Sequence, residues 1–183
     1  MKKLLLATTV MAALSGTVMA EDTVKVGVLL GFTGPIESLT PHMADSAELA
    51  LKEASDSGEF LGGKKIETVR ADTTCVDAAA AQAAAERLVS SEKVVAIYGA
   101  ACSGASTAVA NNVAVPNGVT MVSPSSTSPA LSTIEDKGFF FRTSPSDARQ
   151  GQVLADILKT RGITNVAVTF TNNDYGKGLA ESF

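Results

Sequence analysis

The residue types best suited to ligand chemistry lie in residues 98–107, directly after the apolar run at residues 94–97. A buried strand that ends in a small-residue turn and then opens a helix leaves backbone N–H groups free at that turn. Ser103 adds a hydroxyl at the position where the helix should begin. This combination predicts a small binding site for an anionic or zwitterionic molecule.

Ser103 has two interpretations from its position alone. It can cap the helix, which stabilises a helix by about 1 kcal/mol. Its hydroxyl can instead help to bind a carboxylate together with the N–H groups of the first turn. The two roles are compatible if the hydroxyl points into the crevice.

A phosphate site is not expected in this segment. Gly99, Gly104 and Ser106 come close to a phosphate-binding loop, but Ala105 stands where the motif needs its lysine. Catalytic chemistry has little support either, because the sequence contains no G-x-S-x-G motif and its only histidine, His42, lies at a predicted helix start. We therefore predict no enzyme, no catalytic residue, no metal site and no cofactor.

Two further segments carry polar groups that could contact a ligand. Ser125, Ser126 and Thr127 form a hydroxyl-rich turn between two prolines, which restrict the turn and suit a preorganised contact surface. Asp174 and Tyr175 open the last helix. The default interpretation is a capping aspartate and a packed tyrosine, and the alternative is a tyrosine that stacks on a ligand.

The first twenty residues have the features of a secretory signal peptide. Lys2 and Lys3 precede an apolar core at residues 4–14, and cleavage is expected after Ala20. Glu21 follows the cut, so a lipid anchor at cysteine is not expected. Removal of this peptide leaves 13 basic against 19 acidic residues, a net charge of −6, which gives no basic patch for nucleic acid. We predict an exported protein that is not inserted in the membrane.

The two cysteines, Cys75 and Cys102, are expected to form a disulfide because an exported protein meets an oxidising compartment. The alternative is a pair of buried free thiols. A metal site is not expected, since His42 is far from both cysteines and no ligand spacing is present.

Strand and helix patterns alternate along the chain and predict an α/β fold with a doubly wound, mostly parallel sheet. In such sheets the ligand lies beyond the carboxyl ends of the strands, so the loops at residues 31–35, 101–103 and 123–129 should converge. Helix starts are expected at Thr40 with Pro41 behind it, at Asp77, at Ser103, at Ser146 or Asp147, and at Tyr175. The predicted strands cover residues 24–30, 65–71, 94–98, 118–122 and 166–170, with a further extended segment at residues 138–143.

The end of the chain suggests a fragment. The unit that begins near Ser146 places Val153, Leu154, Ile157 and Leu158 on one face, which such a short unit cannot cover alone. We therefore expect residues 21–143 to form a first, incomplete α/β lobe and residues 144–183 to begin a second, truncated lobe.

The sequence from residue 24 to residue 183 resembles the branched-chain amino-acid (leucine/isoleucine/valine) binding proteins, the type I periplasmic solute receptors of ABC importers. The segments that carry the resemblance, by their order and spacing, are residues 33–35, 72–75, 99–103, 123–129 and 174–179.

The resemblance implies two lobes, joined by hinge strands of which residues 141–143 are the first, that close around the ligand. It implies that Ser103 and Thr127 hold the α-carboxylate of an amino acid and that the backbone carbonyl of Ser125 accepts from its ammonium group. Tyr175 would face the ligand from the second lobe. Leu39 departs from the pattern, because relatives often have an aromatic residue near the side-chain pocket.

The predicted function is that of a monomeric, non-enzymatic periplasmic receptor with a type I periplasmic-binding-protein fold. It would bind an amino acid or a similar amphoteric solute and deliver it to the membrane permease of an ABC transporter. The alternative is the ligand-binding ectodomain of a sensory system with the same fold.

Overall fold

A computed structural model describes residues 23–183. The predicted signal peptide and its cleavage site at Ala20 lie outside the described residues. The strands are β1 Thr23–Leu30, β2 Lys65–Asp72, β3 Ala96–Gly99, β4 Thr120–Ser123 and β5 Phe140–Arg142. The α-helices are α1 Thr40–Asp56, α2 Ala78–Ser90, α3 Ser103–Val109, α4 Asp147–Thr160 and α5 Asp174–Ser182. Short helical turns cover Phe60–Gly62 and Pro129–Ser132, and a π-helical segment, Ala110–Ala114, extends α3.

The strands form one parallel sheet in the order β2-β1-β3-β4-β5. This confirms the predicted α/β fold and its doubly wound sheet. The strand order reverses between β1 and β3, so the crevice for a ligand is expected beyond the carboxyl ends of these two strands.

Apolar side chains alternate between the two faces of β1 and pack into two core layers. Leu29 points into the larger layer with Ile97, under α2 and α3. Val28 and Leu30 point into the smaller layer under α1, which includes Ala44. The predicted core face of α2 is confirmed, since Ala81, Ala85 and Leu88 are fully buried and Ala84 packs against them.

The helix starts were predicted with mixed success. Asp77 caps α2, because its Oδ1 accepts from the N–H groups of Ala79 and Ala80, and Ser146 caps α4 through Ala148 N–H. The expected cap at Thr40 is wrong: its buried hydroxyl donates to the Gly31 carbonyl at 2.8 Å. That bond fixes the turn after β1 to the start of α1.

The predicted strand at residues 166–170 is not formed. Val166, Val168 and Phe170 are 50%, 48% and 57% exposed, and within residues 23–183 no strand lies beside them. A strand needs a neighbour for its ladder of hydrogen bonds. The apolar face of α4 is exposed at Val153, Leu154 and Ile157, as expected for a face that so short a unit cannot cover alone.

Between Thr23 and Phe183, no helix combines the length and the apolar character that crossing a bilayer requires.

Candidate ligand-binding site

The loops after β1, β3 and β4 meet at the carboxyl edge of the sheet, as predicted. Ser125 Oγ donates to the Ala101 carbonyl at 2.9 Å, and Ser128 N–H donates to Ser103 Oγ at 3.2 Å. These two bonds tie residues 123–129 to the turn that opens α3. The turn after β1 contacts the same region, because Gly31 lies against Cys75.

A buried cluster of three serine hydroxyls supports this junction from below. Ser106, Ser123 and Ser126 are fully buried, and their hydroxyls lie within 3.0, 2.6 and 3.2 Å of the Ala100 carbonyl oxygen. The hydroxyls of Ser106 and Ser126 also lie 2.7 Å apart. Ser126 was noted in the sequence only as part of a hydroxyl-rich turn. Ser123, Ser126 and Ser128 are buried while Ser125 and Thr127 are only partly buried, and no regular alternation in the sequence indicates this division.

Ser103 does not cap α3. The N-cap is Cys102, which makes no side-chain capping bond, and α3 begins at Ser103 itself. Ser103 is 2% exposed, and its oxygen accepts from Ser128 N–H. Among the described residues nothing accepts the hydrogen of this hydroxyl, so it remains available for one further hydrogen bond, and the ligand contact of Ser103 stays a prediction.

The hydroxyls of Ser125 and Thr127 already donate their hydrogens in hydrogen bonds within the protein. Ser125 Oγ donates to Ala101, and Thr127 Oγ1 donates to Asp147 Oδ2 at 2.7 Å. Thr127 N–H and the Ser125 carbonyl have no partner within residues 23–183. The expected carboxylate contact of Thr127 stays a prediction, and the structure leaves its N–H rather than its hydroxyl as the free donor.

Residues 126–128 are held from the side of the predicted hinge. Arg142 Nη1 donates to the carbonyls of Ser126 and Ser128 at 3.3 and 2.8 Å, and Asp147 N–H donates to the Thr127 carbonyl at 2.9 Å. Burial lowers the pKa of the Arg142 guanidinium, while the nearby Asp147 carboxylate acts to raise it. Three successive carbonyls therefore face the hinge segment. Sequence reasoning missed Arg142 and Asp147 as parts of the site.

The disulfide is confirmed: Cys75 and Cys102 are bonded, with Cα atoms 5.5 Å apart. It joins the loop after β2 to the residue before Ser103. The alternative of two free thiols is therefore excluded.

The loop after β1 is fixed by Asp72. Its carboxylate accepts from the Thr33 hydroxyl at 2.5 Å and from Thr74 N–H at 2.8 Å. Burial acts to raise the pKa of Asp72, but these hydrogen bonds and those from the N–H groups of Thr33 and Phe32 outweigh it, and the pKa is lowered. Leu39 is 56% exposed at the end of this loop.

Tyr175 lies in the first turn of α5, half exposed. The cap of this helix is Asn173, whose Oδ1 accepts from Gly176 N–H, so the expected cap at Asp174 is wrong. Helix α5 contacts α3 and the turn Pro129–Ser132. Its start therefore lies beside the loops of the site, and a ligand contact of Tyr175 stays a prediction.

The arrangement provides donors and acceptors suited to a zwitterion. Ser103 and Thr127 N–H can donate to a carboxylate, while the Ser125 carbonyl and Thr127 Oγ1 can accept from an ammonium group. Within the described chain, no cluster of three His, Cys, Asp or Glu side chains could hold a metal ion. The site as described therefore offers hydrogen-bond donors and acceptors from side chains and backbone.

Known proteins match this chain over nearly all its described length. Residues 23–183 match a family described as "Periplasmic binding protein". The leucine-specific-binding protein of Salmonella typhimurium is 31% identical over 181 residues, which cover 98% of this chain and 47% of that protein. The chain thus spans about half the length of the curated relatives it matches.

Solved structures give the same result. A leucine-binding protein from Thermotoga maritima, 31% identical, matches with a TM-score of 0.74 over 87% of this chain and 44% of its own. A solute-binding protein of an ABC transporter from Rhodopseudomonas palustris, in complex with 3,4-dihydroxybenzoic acid, is 25% identical with a TM-score of 0.75. That match covers 88% of this chain and 43% of the other.

Proposed function

This chain belongs to the periplasmic binding protein family, and we propose that it is part of a receptor that binds an amino acid and delivers it to the permease of an ABC importer. Residues 21–143 form most of the first lobe in this proposal, and residues 144–183 begin the second. Closure of the second lobe over the site would exclude water and strengthen the hydrogen bonds to the ligand.

One observation carries the proposal: the site separates donors from acceptors within residues 103–127. A carboxylate placed between Ser103 Oγ and Thr127 N–H would meet two hydrogen-bond donors. An ammonium group on the same carbon would meet the Ser125 carbonyl and Thr127 Oγ1, both of which accept. An α-amino acid carries its carboxylate and its ammonium group on one carbon, so one ligand can use both sets of groups.

The ligand side chain is proposed to be aliphatic and of the branched-chain type. The leucine-binding relatives support this assignment. Phe32 and Ile36 pack against the core cluster that includes Ala101 of the site, and the exposed Leu39 follows them on the same loop, so this loop can supply an apolar wall. The structure of the Rhodopseudomonas palustris protein contains an aromatic acid without an ammonium group. Aromatic acids are therefore the main alternative to an amino-acid ligand.

The receptor is proposed to act in the periplasm as a monomer and to release its ligand chemically unchanged. Its partners are then the small-molecule ligand and the membrane permease. The family's periplasmic role supports this location.

The test is a ligand panel on the full-length protein, read by thermal shift and then by calorimetry. The panel contains leucine, isoleucine, valine, their amides, urea, short aliphatic acids and 3,4-dihydroxybenzoic acid. A branched-chain amino acid should raise Tm, because a ligand that binds only the folded state stabilises it. No shift with any member would refute the transport proposal, and a shift with the aromatic acid alone would replace the ligand class.

Ser103→Ala tests the carboxylate contact. Loss of a hydrogen bond to a charged group costs about 1.5–3 kcal/mol, or about 10- to 150-fold in Kd for leucine. The matched control is Ser46→Ala, whose hydroxyl bonds only to the His42 carbonyl on exposed α1 and should leave Kd unchanged. Equal Kd values for both variants would remove Ser103 from the site.

A further inference from the structure

Asp147 and Thr127 form a reciprocal pair of hydrogen bonds between the start of α4 and the site. Thr127 Oγ1 donates to Asp147 Oδ2 at 2.7 Å, and Asp147 N–H donates to the Thr127 carbonyl at 2.9 Å. Asp147 is 4% exposed, although it stands in the first turn of a helix whose other side chains are mostly exposed. A carboxylate in the first turn favours the helix terminus without being buried, so this effect alone does not account for the burial of Asp147.

The carboxylate of Asp147 decides the direction of the Thr127 hydroxyl. A hydroxyl has one hydrogen and two lone pairs, and a carboxylate only accepts. Because the hydrogen of Thr127 is given to Asp147, its oxygen can only accept from a ligand. Without Asp147 the hydroxyl could rotate and donate to an oxygen of the ligand instead.

We propose that Asp147 is a positioning residue for ligand selectivity: it fixes Thr127 Oγ1 as an acceptor and so favours ligands with a cationic nitrogen over their counterparts without one. The inference rests on the proposed function, because it concerns the same site. Arg142, which donates to the neighbouring carbonyls, lies close enough to this carboxylate for the carboxylate to act to raise the pKa of its guanidinium.

The backbone hydrogen bond between Asp147 and Thr127 makes it possible to test this role separately from a structural role. Asp147 N–H remains bonded to the Thr127 carbonyl whatever the side chain at residue 147, so side-chain variants keep that anchor of the loop. Asp147→Ala removes the acceptor for the hydroxyl hydrogen. Asp147→Asn keeps an acceptor, because its amide oxygen can take the same hydrogen.

The test measures two affinities by calorimetry on the full-length protein, for L-leucine and for 4-methylpentanoate, which lacks only the amino group. We expect the wild type to prefer leucine and Asp147→Ala to lower this preference by about tenfold or more. Asp147→Asn should restore most of the preference. This rescue and the ratio of affinities are readouts that loss of helix stability alone would not move.

Ser146→Ala is the matched control, because it removes the cap of the same helix without touching Thr127. It should lower Tm and leave the affinity ratio unchanged. Thr127→Val provides a second route if Asp147→Ala does not fold, since loss of the hydroxyl should reduce the ratio by a similar factor.

The outcomes separate the two proposals. A wild type that binds neither compound, or binds 4-methylpentanoate as tightly as leucine, overturns the amino-acid receptor and this inference together. A wild type that prefers leucine, with the preference intact in Asp147→Ala or Thr127→Val, overturns the role of Asp147 alone. Failure of Asp147→Asn to rescue, with Asp147→Ala impaired, also overturns it.

Discussion

Removal of the Cys75–Cys102 disulfide should destabilise the protein by an amount set by the loop that it closes. The two cysteines are 27 residues apart in sequence. In the chain-entropy account a loop of this length contributes about 3.5 kcal/mol by restricting the unfolded state. For a cooperative unit of 150–250 residues, that loss corresponds to a fall in Tm of about 7–14 °C.

The assay compares the full-length wild type with the double variant Cys75→Ser, Cys102→Ser by calorimetric unfolding at several scan rates. Reducing agent should lower the Tm of the wild type toward that of the variant and should leave the variant unchanged, which is the internal control. A variant Tm within about 2 °C of the oxidised wild type would refute the reasoning. In that case the packing of α2 against α3, rather than the cross-link, would hold the turn before Ser103.

Two further variants test the core and the loop after β1. Leu88→Ala should lower the free energy of unfolding by about 2–5 kcal/mol, because it leaves a cavity in the larger core layer. Leu49→Ala, at a position 57% exposed on α1, should change the free energy of unfolding by less than about 0.5 kcal/mol. Denaturant unfolding checks both, and equal effects would contradict the assigned burial. Asp72→Asn should lower Tm relative to wild type by its largest amount above pH 3.8, the ordinary pKa of the group. This difference in Tm should shrink as pH falls through the lowered pKa of the folded state, because the wild type then loses its ionised acceptor. A deficit that does not change between pH 6 and pH 2.5 would show that the hydrogen bonds to Asp72 do not depend on its charge.

Sequence patterns predicted features that depend on neighbours along the chain. The cap at Asp77 and the buried face with Ala81 and Leu88 both follow from spacing within one helix. Thr40 shows the limit of such reasoning, because the same residue type can bond to a carbonyl nine residues earlier when the tertiary structure brings the two together. Propensity alone does not distinguish these alternatives.

The strand predicted at residues 166–170 failed for a related reason. Its alternating apolar residues have the period of a strand, but a strand is completed by hydrogen bonds to another segment. Within residues 23–183 no strand accompanies it. The pattern therefore indicated what the segment can form beside a partner strand.

For the site, the sequence indicated which residues are candidates but not the direction of their hydrogen bonds. Ser103, Ser125 and Thr127 were identified as candidates from their types and from the resemblance. Their hydrogen-bond directions follow from residues elsewhere in the chain: Ala101 lies 24 residues from Ser125, and Asp147 lies 20 residues from Thr127. Composition shows that a hydroxyl is present, but only its partners decide whether it donates or accepts.

In the proposed receptor, those partners would also connect ligand binding to the hinge. Arg142 belongs to β5 and Asp147 to α4, so the groups that orient residues 126–128 lie on the segment where the chain leaves the first lobe in the proposed receptor. A rotation of α4 relative to the sheet would strain the bonds of Thr127 to Asp147. Conversely, a ligand held by Thr127 would favour the hinge geometry in which those bonds are formed, because a ligand shifts an equilibrium by its difference in affinity for the two states. The same carboxylate can thus set which ligands are accepted and link their binding to closure of the lobes.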